Sequence, residues 1–214
     1  MKKLYVSNSQ ESVRMFKSNF FESLSKVHFT VPLFIFLPVI GYFIWQDFAV
    51  HNSSIGGFFL WFIVGLAIWT FTEYFLHRYV FHLELPGKIG RRLHFIFHGV
   101  HHDYPSDKLR LVMPPSVSIP LALLFYWLFS LILSDVRLYA FFPGFLIGYL
   151  FYDIGHYAIH HFNFKGGMWK QIKQHHMLHH YQNPEKGFGV SSKLWDLILF
   201  SDFPAKKKKE EAKK

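Results

Sequence analysis

Cysteine is absent from the 214 residues. Disulfides and thiolate metal sites are therefore excluded, and any metal must be held by nitrogen or oxygen. Charge is sparse at 17% of residues, and its acidic share is small, with 14 Asp and Glu against 23 Lys and Arg. A formal excess of +9 can mark a nucleic-acid partner, but no basic stripe interleaved with aromatics and no nucleic-acid motif occurs, so none is expected. Lys and Arg collect instead at the N-terminus, between apolar blocks and in the tail, as in loops on one face of a membrane, where they meet anionic headgroups. The first 28 residues are largely polar and carry Lys2, Lys3, Arg14, Lys17 and Lys26, so no cleaved signal is expected there.

What is abundant points to lipid. Hydrophobic residues make up 51% of the chain, and Phe alone occurs 27 times. Four apolar stretches, 29–45, 55–76, 117–133 and 138–155, approach the roughly 20 helical residues that cross a hydrocarbon core. Short links at 46–54 and 134–137 join them into two hairpins. The first link has no Lys or Arg and the second only Arg137, whereas the segment between the hairpins carries Arg78, Lys88, Arg91, Arg92, Lys108 and Arg110. The positive-inside rule then places both termini and this segment in the cytoplasm. The expected architecture is an all-α integral membrane protein, with four transmembrane helices in two hairpins and a cytosolic helical cap. Residues 1–28 are expected to form an interfacial segment. There Met15, Phe16, Phe20, Phe21, Leu24 and Val27 recur at helical spacing, as in an amphipathic helix or an extension of the first membrane helix. Residues 29–204 are expected to form the membrane-embedded domain, and 205–214 a charged, disordered tail.

Histidine occurs 15 times and is strongly patterned. His77 and His82 close the second span, and His98, His101 and His102 follow as H-x-x-H-H. His156 and His160 close the fourth span, and His176, His179 and His180 repeat the triplet. On a helix, positions i, i+3 and i+4 share a face, so each triplet can converge on a small volume. His77 and His82 lie about 140° apart on an ideal helix, so one of them is expected past the helix end. Two pairs and two triplets supply five imidazoles for each of two metals, and neutral imidazole suits Fe, Zn, Cu and Ni alike. Ionisable groups at membrane depth are costly and point to function. His94, His161 and His175 are expected to be hydrogen-bond partners or filling. Glu73 and Asp153, each about one turn before a histidine, are candidate carboxylate partners that orient ligands, with Asp196 and Asp103 weaker candidates; Glu73 has Arg78 as an alternative partner.

These stretches resemble the sterol desaturase and fatty acid hydroxylase superfamily of membrane di-iron proteins, and within it the fatty acid 2-hydroxylase branch. The resemblance runs through 16–26 (FKSNFFESLSK), 73–82 (EYFLHRYVFH), 98–102 (HGVHH), 110–115 (RLVMPP), 148–156 (GYLFYDIGH), 176–181 (HMLHHY) and 187–196 (GFGVSSKLWD), and covers about residues 10–204. It implies metal ligands at His77, His82, His98, His101, His102, His156, His160, His176, His179 and His180. It also implies O2-dependent hydroxylation of the carbon next to the carboxyl of a fatty acyl or sphingolipid substrate. Iron is expected for activity, with zinc able to replace it in purified protein. Many eukaryotic relatives carry a fused b-type cytochrome; here the donor is expected to be a separate redox partner, such as a b-type cytochrome or a ferredoxin. Gly144, Gly148, Tyr149 and Tyr152 are expected to shape the path of the acyl chain.

A desaturase, sterol oxidase or carotenoid hydroxylase would use the same ligand spacing, since each begins with the same hydrogen abstraction. A metal transporter is the remoter alternative, because transporters gather ligands near the bilayer midplane rather than at one face.

Overall fold

The computed structural model describes residues 4–204, so the tail expected at 205–214 lies outside the described residues. All its regular elements are helical: α1 (Asn19–Leu24), α2 (Val31–Ala49), α3 (Ile55–Phe75), α4 (Gly87–His94), α5 (Val100–Asp103), α6 (Pro115–Ser130), α7 (Asp135–His161), α8 (Gly167–Tyr181) and α9 (Leu194–Ile198). Two π-helical turns extend this set, Leu76–Phe81 at the end of α3 and Phe95–Gly99 between α4 and α5.

Three segments are long and apolar enough to cross a membrane: α2 with 19 residues, α3 with its π turn at 27, and α7 at 27. Helix α6 is also apolar but has 16 residues. At about 1.5 Å each they reach about 24 Å, short of a core of about 30 Å. Turns closing Leu131 and Ile132 onto Leu128 and Phe129 carry the chain a little further.

Helix α7 is the axis of the molecule and is buried along most of its length against α2 and α3. Its closest crossing depends on small residues. A Cβ at Gly144 would overlap the Phe62 carbonyl, and one at Gly65 would overlap the Phe141 carbonyl, so the two backbones touch. Gly148 likewise receives the Trp69 side chain. Gly144 and Gly148 therefore let the helices pack closely together. Phe36, Phe43, Trp69, Phe142, Phe145 and Tyr149 fill the space between the helices. Phe59, Leu60 and Ile63 on α3, and Leu123 and Trp127 on α6, face outward.

The N-terminal segment is not a continuous extension of the first membrane helix. Only six residues are helical, and α2 does not begin until Val31. The preceding chain drapes over the cap, where the Val6 and Ser7 amides donate to the Asp103 carbonyl at 2.9 and 3.1 Å. Met15 and Val27 turn inward while Phe20, Phe21 and Leu24 stay exposed. The cause is an inward-facing polar residue, Glu22, which accepts the Met15 and Phe16 amides at 2.9 and 3.0 Å and folds the segment back on itself.

Candidate metal centre

The ends of α3 and α7 meet α5 and α8 at one end of the bundle, and there the histidines converge. His77, His82, His98, His102 and His179 form one group, and His101, His156, His160, His176 and His180 form a second. Within each group the ligand atoms all lie within 4.8 Å of one another. His77, His176 and His179 are fully buried. The groups do not follow the sequence triplets. The middle histidine of each H-x-x-H-H run crosses over, His101 to the second group and His179 to the first. His102 and His180 stack across the boundary with ring centroids 4.2 Å apart.

The π turn explains the five-residue pair. The His82 amide donates to the His77 carbonyl at 3.2 Å, an i→i+5 bond that widens the turn. The two rings are thereby brought to 5.0 Å. His82 sits just past the π turn as its cap, as expected, but still shares a face with His77.

Hydrogen bonding between imidazoles cannot account for this packing. His176 Nε2 lies 2.9 Å from His156 Nε2 and 3.0 Å from both His160 Nε2 and His180 Nε2. One nitrogen has either one proton or one lone pair, so it cannot make three such bonds. In the first group, His77 and His98 Nε2 atoms are 3.0 Å apart, and His179 Nε2 is 3.1 Å from His82 and 3.2 Å from His102. Nitrogens bound at right angles to one ion, each about 2.1 Å from it, lie about 3.0 Å apart. Buried His101 has no protein partner on either ring nitrogen. The donor set therefore fits one cation in each group. Burial first, then neighbouring imidazoles, holds His98, His101, His102, His176 and His180 well below the ordinary imidazole range, and His82 at about 2. These rings are neutral, the form that binds metal.

Two tautomers are fixed by backbone. His77 donates from Nδ1 to the Phe188 carbonyl, and His179 from Nδ1 to the Lys186 carbonyl at 2.7 Å, leaving each Nε2 lone pair aimed inward. Both carbonyls belong to one strap, residues 186–192. Between them Gly187 adopts φ +73°, which an L side chain resists.

The profile of the fatty acid hydroxylase family matches residues 62–201. A dihydroceramide fatty acyl 2-hydroxylase of Arabidopsis thaliana is 37% identical, over 93% of this chain and 83% of its own. A ceramide very long chain fatty acid hydroxylase of Saccharomyces cerevisiae is 40% identical, over 90% of this chain and 51% of its own. A solved structure of full-length scs7p, in which only the hydroxylase domain is visible, superimposes with a TM-score of 0.82 at 37% identity, covering 88% of this chain and 72% of that one. The chain belongs to the fatty acid hydroxylase family. It is accordingly a membrane oxidoreductase, with apolar helices carrying histidine clusters able to hold metal.

In this hydroxylase the expected carboxylates bond to loops and not to the ten clustered histidines, and Asp196 approaches only the spare His175, at 3.8 Å. Glu73 Oε1 accepts the Val190 and Ser191 amides, each at 2.7 Å, and Oε2 accepts the Ser191 hydroxyl. Arg78 turns away to the Tyr74 hydroxyl, so the Glu73–Arg78 pair does not form. Asp196 accepts the Phe188 amide at 2.9 Å and the Gly189 amide at 2.8 Å. Asp153 accepts the Met113 amide and the Tyr149 hydroxyl, both at 3.0 Å. Asp103 ends α5 and engages the N-terminal segment through its carbonyl. The physical reason is that the Glu73, Asp153 and Asp196 carboxylates face free backbone N–H groups of irregular segments, which need acceptors when buried. Sequence spacing showed the carboxylates but not the strap, whose role is carried by carbonyls that every residue possesses. Of the spare histidines, His175 bonds Asp202 at 3.1 Å, His161 packs on Tyr157, and His94 lies beside Gly99 outside both groups.

A cavity of about 140 Å³ opens beside both groups. His98 of the first and His101 and His156 of the second form its inner wall, with Tyr152 and Asp153. Phe81, Ile96, Phe97, Leu111, Met113 and Val117 supply apolar surface, and the buried Arg110 also lines it. Tyr152 borders this cavity. Tyr149 instead lines a smaller neighbouring void against Trp69 and Phe145.

Proposed function

We propose that this chain is a fatty acid 2-hydroxylase, adding one oxygen to the carbon next to the carboxyl of a fatty acyl chain, free or carried in a sphingolipid or ceramide. The observation that carries this reading is the apolar cavity that touches both histidine groups at once. It suits a hydrocarbon, and the printed names of the relatives describe hydroxylases of fatty acyl chains.

The ten histidines would hold two iron ions, five each. Bound there, the two ions would supply the reduction of dioxygen and the removal of one C–H hydrogen. Balance requires two electrons and two protons from outside, so that one oxygen atom enters the product and the other leaves as water. A separate electron donor, a b-type cytochrome or a ferredoxin, fits that need. The chain's own residues do the rest. His77 and His179 keep their Nδ1 protons on strap carbonyls and so keep Nε2 free for metal. Phe81, Ile96, Phe97 and Leu111 exclude water from the reacting carbon and hold the acyl chain beside His98 and His156.

The topology proposed is four transmembrane helices, α2–α3 and α6–α7 as hairpins, with the cap and both termini in the cytoplasm. Its support is the run of Arg78, Lys88, Arg91, Arg92 and Lys108 at the histidine end, and the exposed apolar face of α6.

The test is lipid mass spectrometry on cells expressing the chain beside a His179→Ala variant. The expected product is an acyl chain heavier by one oxygen at the second carbon, absent from the variant. Loss of two hydrogens, or oxygen on a sterol or carotenoid, would overturn the substrate and place the chain in a sister branch.

A further inference from the structure

The two histidine groups are not equally supported. In the first, the strap carbonyls of Lys186 and Phe188 fix two of the five rings. In the second, Nδ1 of His101, His176 and His180 has no protein partner. The strap is in turn clamped from both sides. Glu73, on α3, takes the Val190 and Ser191 amides, and Asp196, on α9, takes the Phe188 and Gly189 amides. Both carboxylates are buried, at 4% and 0% exposure. A third tie runs from the Gly187 amide to the Ser201 carbonyl at 2.9 Å, and the Ser201 hydroxyl donates to Asp196 at 2.7 Å.

The geometry points to Glu73 and Asp196 as positioning residues for one metal only, the ion of His77, His82, His98, His102 and His179, acting through the strap. This rests on the ligand assignment proposed above. The consequence is two sites of unlike affinity, of which only one responds to the strap. Partners that orient ligands typically change metal affinity by about 10- to 100-fold when removed.

The chemistry of each clamp predicts a graded response. Asp196 uses both oxygens on backbone N–H groups, so in Asp196→Asn the amide NH2 must face a donor and one clamp bond is lost. Glu73 takes both backbone amides on one oxygen, and its other oxygen meets the Ser191 hydroxyl, which can reverse. Glu73→Gln therefore retains the clamp, whereas Glu73→Ala removes it.

The experiment loads the full chain with zinc in detergent and measures zinc retained against a rising chelator concentration. His82→Ala and His160→Ala identify which step belongs to which site. Wild type is expected to hold two zinc ions and release them in two steps. Asp196→Asn and Glu73→Ala should move the step that His82→Ala moves by about 10- to 100-fold and leave the His160→Ala step in place. Glu73→Gln should stay close to wild type. Equal movement of both steps would mean a general structural role and overturn the proposal, as would no movement. Fewer than two zinc ions in wild type would overturn the ligand assignment itself, and acyl hydroxylation is not needed for any of these readings.

Discussion

Within α8, His176 and His180 are about 40° apart around the axis, while His179 stands about 100° from His180. An H-x-x-H-H run is thus a fan wide enough to face two ions, and the outer pair goes to one while the middle member goes to the other. This divides residues that are adjacent in sequence. Replacing His101 and His160 together should empty one site and leave about one metal per chain, since both belong to the same group. Replacing His101 and His102 together should weaken both sites and leave less than one. Metal analysis of the two double variants checks this, and the reverse order would mean that each triplet serves a single ion. All ten histidines were legible in the spacing, because the repeat of pair and triplet is a sequence property. The crossover was not read, although it follows from the offset between i+3 and i+4. The strap was beyond reach, because a carbonyl that orients an imidazole leaves no trace in side-chain identity.

At the level of elements, the apolar helices were legible to within six residues at each end because length and composition define them. The π turn was not: five-residue spacing on an α-helix separates His77 from His82, and only the wider turn reunites them. In the N-terminal segment the apolar period runs further than the six-residue helix, which Glu22 cuts short. That carboxylate pairs with Arg110 at 2.6 Å and Lys26 at 3.0 Å, and Arg110 also reaches the Val13 carbonyl and the Ser25 hydroxyl. Burial pushes the Glu22 carboxyl upward, but the Phe16 and Met15 amides, Lys26 and Arg110 outweigh it and hold it at about 2, below its ordinary 4.5. A depressed value means that the stabilisation is complete above about 4.5 and is lost as pH falls toward about 2. Thermal unfolding in detergent should therefore lose more between those pH values in wild type than in Glu22→Gln. At neutral pH, Glu22→Ala should destabilise by about 2 kcal/mol, because it removes the charged acceptor of the Met15 and Phe16 amides and of Arg110, which keeps Asp107 at 3.5 Å as its ion-pair partner. Parallel pH curves for wild type and Glu22→Gln would remove Glu22 from this account.

For the whole molecule, the arrangement of the site depends on how many times the chain crosses the membrane. The histidine groups draw on the ends of α3 and α7 and on α5 and α8, so those ends must lie on one side. The C-terminal ends of α3 and α7 both lie on that side. The link between them holds α4 and α5, so the proposed topology needs α6 to carry the chain back across before α7 returns. This parity argues for α6 as a crossing despite its 16 residues, with the turns after Leu131 and a locally thinned bilayer making up the difference. The absence of cysteine makes the argument testable without background, since each introduced thiol is unique. Val50→Cys and Val136→Cys lie at exposed positions on the two hairpin tips, and Lys170→Cys lies exposed on the cap. A thiol reagent that cannot cross membranes should label the first two in intact cells and the third only after permeabilisation. Labelling of Lys170→Cys alone would invert the orientation. Labelling of Val50→Cys but not Val136→Cys would mean that α6 does not cross, and the site would then have to be assembled from opposite faces of the membrane, which its 2.9 to 3.2 Å nitrogen contacts forbid.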